Sequence, residues 1–133
     1  MKKYIIFLVL TCAVFSHSAF AVHFWRGKIM GVEQVKSNWG NVKFNKEKFK
    51  AGDVNMRSSM AYDLISSKVY VGKSRLEVAK DLGPGDGYYF SGMIPAYIIN
   101  DPPKGSDVWQ IVFLLDKNGI VDEVAVHKNC CDK

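Results

Sequence analysis

"VYVGKSRLEVAKDLG", residues 69–83, decides how this chain folds. A short apolar run leads into Gly72-Lys73-Ser74, and a helical pattern starts there. Gly-Lys-Ser also ends a phosphate-binding loop, which requires a glycine five residues before Gly72 so that the backbone can wrap the phosphates. That position is Ser67, and the residues between are Lys68, Val69, Tyr70 and Val71. Bulky residues do not curl cheaply into an anion nest. The stretch therefore reads as a helix start, and no nucleotide or other cofactor is expected. Ser74 and Glu77 have the spacing of a capping box, in which the serine accepts from a free amide and the glutamate reaches back to the serine amide. Leu76, Val78, Ala79 and Leu82 are expected to form the buried stripe. Gly83 suits a left-handed stop, and Pro84 prevents continuation.

Upstream, Lys2-Lys3, the apolar run from Tyr4 to Val14, and Ser18-Ala19-Phe20-Ala21 have the three-part layout of a secretory signal. Residues 1–21 are predicted to be cleaved after Ala21. The apolar run is short for a membrane span of about 20 residues. Cys12 lies too early to be a lipidation site. Removing 21 of the 133 residues leaves 112, enough for one domain with a modest core. The signal carries two lysines and no acid, so the net charge falls from +5 to +3. That balance is mild, and an exported protein has no nucleic acid as an expected partner. The lysines of Lys43–Lys50 read as a solvated face, or as a contact with an anionic membrane surface.

Cys130 and Cys131 are adjacent. Their Cα atoms lie about 3.8 Å apart, below the usual range for a disulfide. A strained vicinal disulfide and intermolecular bonds from a tail at 129–133 are both open in an oxidising compartment. A metal would find only His127 nearby, with His23 at the opposite end, so no metal site is expected.

Residues 22–52 show no clean period. They read as an N-terminal extension that folds back over the core on Trp25, Trp39, Phe44 and Phe49, with one short helix around Asn45–Lys50. Buried aromatics are the commoner case, while exposed ones would make a partner site. From residue 53 the pattern sharpens. Asp53 or Asn55 can cap a helix in which Met56, Met60 and Leu64 recur every four residues, widened by Ala61 and Ile65. Ser66-Ser67-Lys68 ends it.

Three strand candidates follow the turn Gly85-Asp86-Gly87. Tyr88–Asn100 is β-rich, and Gly92 and Pro95 mark a bulge, a break or an edge. Val108–Leu115 is the most apolar stretch after the signal and is expected to be central, with Trp109, Ile111, Phe113 and Leu115 on one face. Asp116-Lys117-Asn118-Gly119 is a hairpin turn. In the last strand, Ile120, Val124 and Val126 are expected to share a face with Asp122, opposite Glu123 and His127. Helices before antiparallel strands predict an α+β two-layer sandwich: two helices on a three-stranded antiparallel meander, spanning residues 53–128.

The stretch Gly72-Lys73-Ser74-x-x-Glu77-Val78-x-x-x-Leu82-Gly83-x-Gly85-Asp86 resembles the signature of the SmpA/OmlA (BamE-like) domain family. Asp116-Lys117-Asn118-Gly119-Ile120-Val121 stands where that family has its D-x-x-G-x-V turn into the last strand. The resemblance covers about residues 56–127 and implies the same α-α-β-β-β order. It implies an envelope protein that binds another protein or the membrane surface, periplasmic or outer-membrane-associated. Three features depart from the pattern: no cysteine is placed for lipidation, the expected proline is Gly85, and the aromatic-rich extension is additional. The same architecture also occurs in secreted inhibitors, including β-lactamase-inhibitor-like modules.

Catalytic constellations are scarce. Acyl-transfer chemistry needs a base beside a nucleophile, and His127 is the one histidine of the predicted domain. Asp63, Asp81, Asp86, Asp116 and Glu123 are scattered at helix ends and turns. The expected function is therefore a non-catalytic interaction module with an envelope protein partner, with an enzyme inhibitor as the alternative and a small-ligand or lipid-surface binder behind it. Tyr88, Tyr89, Phe90 and Trp109 are the candidate interaction residues.

Overall fold

Asn45, Asp53 and Ser74 each start a helix. The computed structural model describes residues 27–129; the signal segment, His23, Trp25, Cys130 and Cys131 lie outside them. Helix α1, Val32–Trp39, follows Gly31 without a side-chain cap. Helix α2, Lys46–Ala51, has the Asn45 side chain accepting from the Lys48 amide at 2.9 Å. Helix α3, Val54–Ser67, has Asp53 accepting from the Met56 amide at 2.9 Å. Helix α4, Arg75–Leu82, carries the full capping box: the Ser74 amide donates to Glu77 at 2.7 Å and the Glu77 amide to the Ser74 hydroxyl at 3.2 Å. Each such cap satisfies an orphan amide and contributes about 1 kcal/mol. Gly83 ends α4 at φ +81° with an extended ψ, so the stop uses glycine's positive φ without the left-handed helical turn predicted for it.

The sheet is antiparallel and four-stranded, in the order β1-β4-β3-β2. Its strands are β1 (Ile29–Met30), β2 (Ala96–Ile98), β3 (Trp109–Leu115) and β4 (Val121–Lys128). The architecture is α+β, and β2-β3-β4 form the predicted meander. To the predicted two helices and three strands the segment read as an extension adds α1 and β1, together with α2, which stands where the short helix around Asn45–Lys50 was expected. Strand β1 pairs with β4 through Ile29–His127 and Met30–Val126. Phe49 is fully buried, and Trp39 and Phe44 pack against the same core, so these anchors serve packing.

The buried stripes differ in phase from those expected. In α3 the core-facing positions are Met60, Ala61 and Leu64, preceded by Arg57; Met56 stays 40% exposed. Arg57 completes the i, i+3, i+4, i+7 pattern, its guanidinium lying 5.7 Å from the Phe49 ring and 6.0 Å from the Tyr97 ring. In α4, Val78 and Leu82 are buried, whereas Leu76 and Ala79 face outward. Residues two apart lie on opposite sides of a helix, so Leu76 and Val78 do not share a stripe. In β4 the ladder slips: Leu114 pairs with Glu123 but Leu115 with Val121, leaving Asp122 as the extra residue of a bulge. Val124 and Val126 face the helices as expected, while Val121 takes the place in the core predicted for Ile120.

Between helices and sheet, Phe44, Phe49, Tyr97, Phe113 and Tyr70 form a closed cycle of edge-to-face rings, with neighbouring centroids 5.5–6.0 Å apart. Such pairs stabilise by roughly 0.5–1.5 kcal/mol each beyond their buried area. The two phenols reach polar partners at the core's rim: Tyr97 donates to the Gly83 carbonyl at 2.7 Å and Tyr70 to Asp81 at 3.3 Å. Burial, and then the Asp81 charge, push the Tyr70 phenol up, and burial pushes Tyr97 up to about 12.

Candidate interaction surface

The β-rich stretch Tyr88–Asn100 yields strand only at Ala96–Ile98. Tyr89 and Ile94 instead pack on the sheet face away from the helices. Gln110, fully buried on β3, accepts from the Tyr88 amide at 2.9 Å and donates to the Tyr88 carbonyl at 2.6 Å. Gly85 and Gly87 permit this approach: a Cβ on Gly85 would lie 2.5 Å from the Ala96 carbonyl oxygen, and one on Gly87 2.3 Å from Gln110 Oε1. Beneath the segment, Tyr89, Ala96, Val112 and Ala125 make a small second core. His127 is buried there, its ring 4.6 Å from that of Tyr89 and 6.1 Å from that of Phe90.

The four candidate residues are thereby divided. Tyr88 is 57% exposed and Phe90 51%, Phe90 at φ +51°, while Tyr89 is buried between sheet and segment. Trp109 lies in the other layer, packed against the helix-side core with Lys28 Nζ 6.0 Å from its ring. The most exposed large apolar residues among those described are Leu76 at 73%, which the sequence reading places in the buried stripe, and Met93 at 64%, which it does not single out. The signal for Leu76 was its place opposite Val78; for Met93, it was the uncharged run of residues 87–100.

Leu76 and Met93 line two adjoining clefts. One of about 270 Å³ runs between α4 and the 84–95 segment, with Ala79, Gly85 and Pro95 on its walls. The other, of about 410 Å³, continues to the β3–β4 hairpin, with Arg75, Leu115 and Lys117. A separate cleft of about 400 Å³ lies where Val32, Ile65 and Lys68 meet Asp122 and Glu123.

The sheet edge beside the groove is closed. On the outer side of β2 the Ile98 amide donates to Asp86 at 2.8 Å, and the Ala96 carbonyl accepts from Gly87 at 2.9 Å. Arg57 binds Asp86 at 2.6 Å and reaches the Ile98 carbonyl at 3.4 Å. An edge so occupied does not recruit another strand.

Catalytic chemistry finds no constellation among the described residues. Asp63 accepts the Phe44 amide, Asp81 holds Lys46 and Tyr70, Asp86 holds Arg57 and Ile98, and Asp116 closes the hairpin. No three His, Cys, Asp or Glu side chains among the described residues group to hold a metal. No helix of the described residues is long and apolar enough to cross a membrane. The Gly72-Lys73-Ser74 amides are committed internally: Gly72 donates to Val121, Lys73 to Tyr70 and Ser74 to Glu77, and Arg75 donates to Gly119. Comparison with family models, with curated proteins and with solved structures found no match.

Proposed function

We propose that this chain is an exported, non-catalytic protein-interaction module of the cell envelope. The observation that carries the reading is the groove beside α4. Leu76 and Met93 are the most exposed of the large apolar side chains described, and the two share one concave surface. Exposed apolar groups clustered at a concavity are the usual mark of a docking site. The secretory-signal pattern of residues 1–21 supports export, and the SmpA/OmlA-like motif supports an envelope role such as outer-membrane assembly or maintenance.

The second reading, an inhibitor of a periplasmic or foreign enzyme, has one observation on its side. The Tyr88–Phe90 turn presents two exposed aromatic rings on a backbone pinned by Gln110. A pre-ordered loop loses little entropy on docking.

Affinity purification of the exported chain from envelope extracts tests both. A stoichiometric partner retained by the wild type and lost from Leu76→Asp/Met93→Asp supports the module. Retention of a hydrolase whose activity falls in the complex supports the inhibitor. Substrate turnover by the purified chain, or capture indifferent to the double substitution, would overturn the proposal.

A further inference from the structure

We propose that the groove between the first turn of α4 and the β3–β4 hairpin takes an acidic segment of a protein partner, anchored by an apolar side chain between Leu76 and Met93. This rests on the reading of the chain as an interaction module and adds the chemistry of the partner. Its apolar lining is Leu76, Met93 and Leu115, and the adjoining cleft extends it with Ala79 and Pro95. The rim carries two cationic side chains. Arg75 and Lys117 form no ion pair among the described residues.

The two carboxylates that sequence places beside them are engaged elsewhere. Glu77 accepts from the Ser74 amide at 2.7 Å and the Ser74 hydroxyl at 2.9 Å, and faces Lys73 at 3.9 Å. Asp116 Oδ1 accepts from the amides of Asn118 at 2.8 Å and Ile120 at 3.0 Å. An occupant must therefore offer carboxylates to Arg75 and Lys117 and an apolar group to the walls between them. An anionic bilayer would match the charge, but it requires apolar groups on a protruding surface, and Leu76 and Met93 line a concave one. With the β2 edge closed, the segment is held by side-chain contacts and charge rather than by strand addition.

The test is an NMR titration of the isotopically labelled exported chain with three probes. They are a synthetic peptide alternating Glu and Asp with Leu, the same peptide with Lys at each acidic position, and vesicles of phosphatidylcholine and phosphatidylglycerol. The acidic peptide is expected to shift the amides of Arg75, Leu76, Met93 and Lys117. It should bind about tenfold more tightly than the lysine peptide and lose about tenfold in affinity in Arg75→Glu/Lys117→Glu. Added salt should weaken it. Equal binding of the two peptides, shifts elsewhere, or no shift at saturating peptide would overturn the inference. Vesicle binding through these residues without a peptide response would replace it with a lipid surface. Capture of the envelope partner separates the two proposals. A partner lost from Leu76→Asp/Met93→Asp but kept by Arg75→Glu/Lys117→Glu removes the acidic segment and leaves the module. A partner kept by both removes both. Circular dichroism of each variant verifies that these exposed substitutions leave the fold intact.

Discussion

Gln110 holds the main chain of Tyr88 through both atoms of its side-chain amide, at 2.9 and 2.6 Å. A glutamine side chain thus replaces a ladder strand on the sheet's second face, and it holds the segment that carries Tyr88, Phe90 and Met93.

Gln110→Ala is expected to cost roughly 2–3 kcal/mol, because two main-chain groups lose their partner at a buried site. Gly87→Ala should also destabilise, since its Cβ would sit 2.3 Å from Gln110 Oε1 and 3.0 Å from the Ala96 Cβ. The first of these clashes disappears when Gln110 is shortened. The double variant should therefore cost less than the sum of the singles, by about 1 kcal/mol. Urea denaturation of the four proteins measures this. Strict additivity would show that the two residues do not act on one contact.

Asp86 joins Arg57 to the outer edge of β2. Asp86→Ala removes the acceptor of the Ile98 amide and the partner of Arg57 Nη1. Asp86 is half-exposed and its charge is screened. The stability loss is accordingly small, about 1 kcal/mol. The larger expected effect is on association, because a freed edge amide can pair with another chain. Sedimentation velocity should show concentration-dependent self-association of Asp86→Ala that the wild type lacks. A monomeric variant at every concentration would mean that Gly87 and Arg57 close the edge without it.

The capping box makes stability depend on acid pH. The Ser74 amide, then its hydroxyl, and the Lys73 charge hold the Glu77 carboxyl below its ordinary value of 4.5. A group with a lowered folded-state pKa contributes stability above its unfolded pKa and loses it as pH falls through the folded value. The Tm advantage of wild type over Glu77→Gln should therefore be full at neutral pH and shrink below pH 4.5. A constant difference down to strongly acid pH would rule out the linkage.

Local chemistry was legible in the sequence, and long-range chemistry was not. Asn45, Asp53, Ser74, Gly83 and Gly119 act within a few residues of themselves, and each marks the boundary its side chain or φ predicts. The α3 phase was obscured because a guanidinium, Arg57, occupies a place where the pattern calls for an apolar residue. Strand β1, two residues long, has no period to detect; it exists because β4 offers an edge. Tyr88–Tyr89–Phe90 has strand composition, yet the main-chain groups of Tyr88 go to Gln110 rather than to a ladder strand. Trp109 was grouped with these aromatics by residue type, whereas strand alternation sends it to the opposite layer. Leu76 was readable: two positions before Val78, it belonged on the outer face.

Alkaline pH should loosen the aromatic cycle. Burial raises the Tyr97 phenol from 10.0 to about 12; Asp86 raises it too, while Arg57 opposes the rise. A raised folded-state pKa gives stability that is present below the unfolded value and lost as pH climbs toward the folded one. Between pH 10 and about 12 the unfolded chain releases this proton while the native chain retains it. Tyr97→Phe keeps the ring contacts with Phe49 and Phe113 but forfeits the 2.7 Å bond to the Gly83 carbonyl. The variant should be less stable by about 1 kcal/mol at neutral pH. It lacks the Tyr97 share of the alkaline loss, so its deficit should narrow as pH rises above 10. Thermal melts of both proteins across that range, with tyrosinate absorbance followed in parallel, measure the change. A deficit that stays constant while the native wild type ionises freely near pH 10 would show that Tyr97 is solvated rather than part of the core.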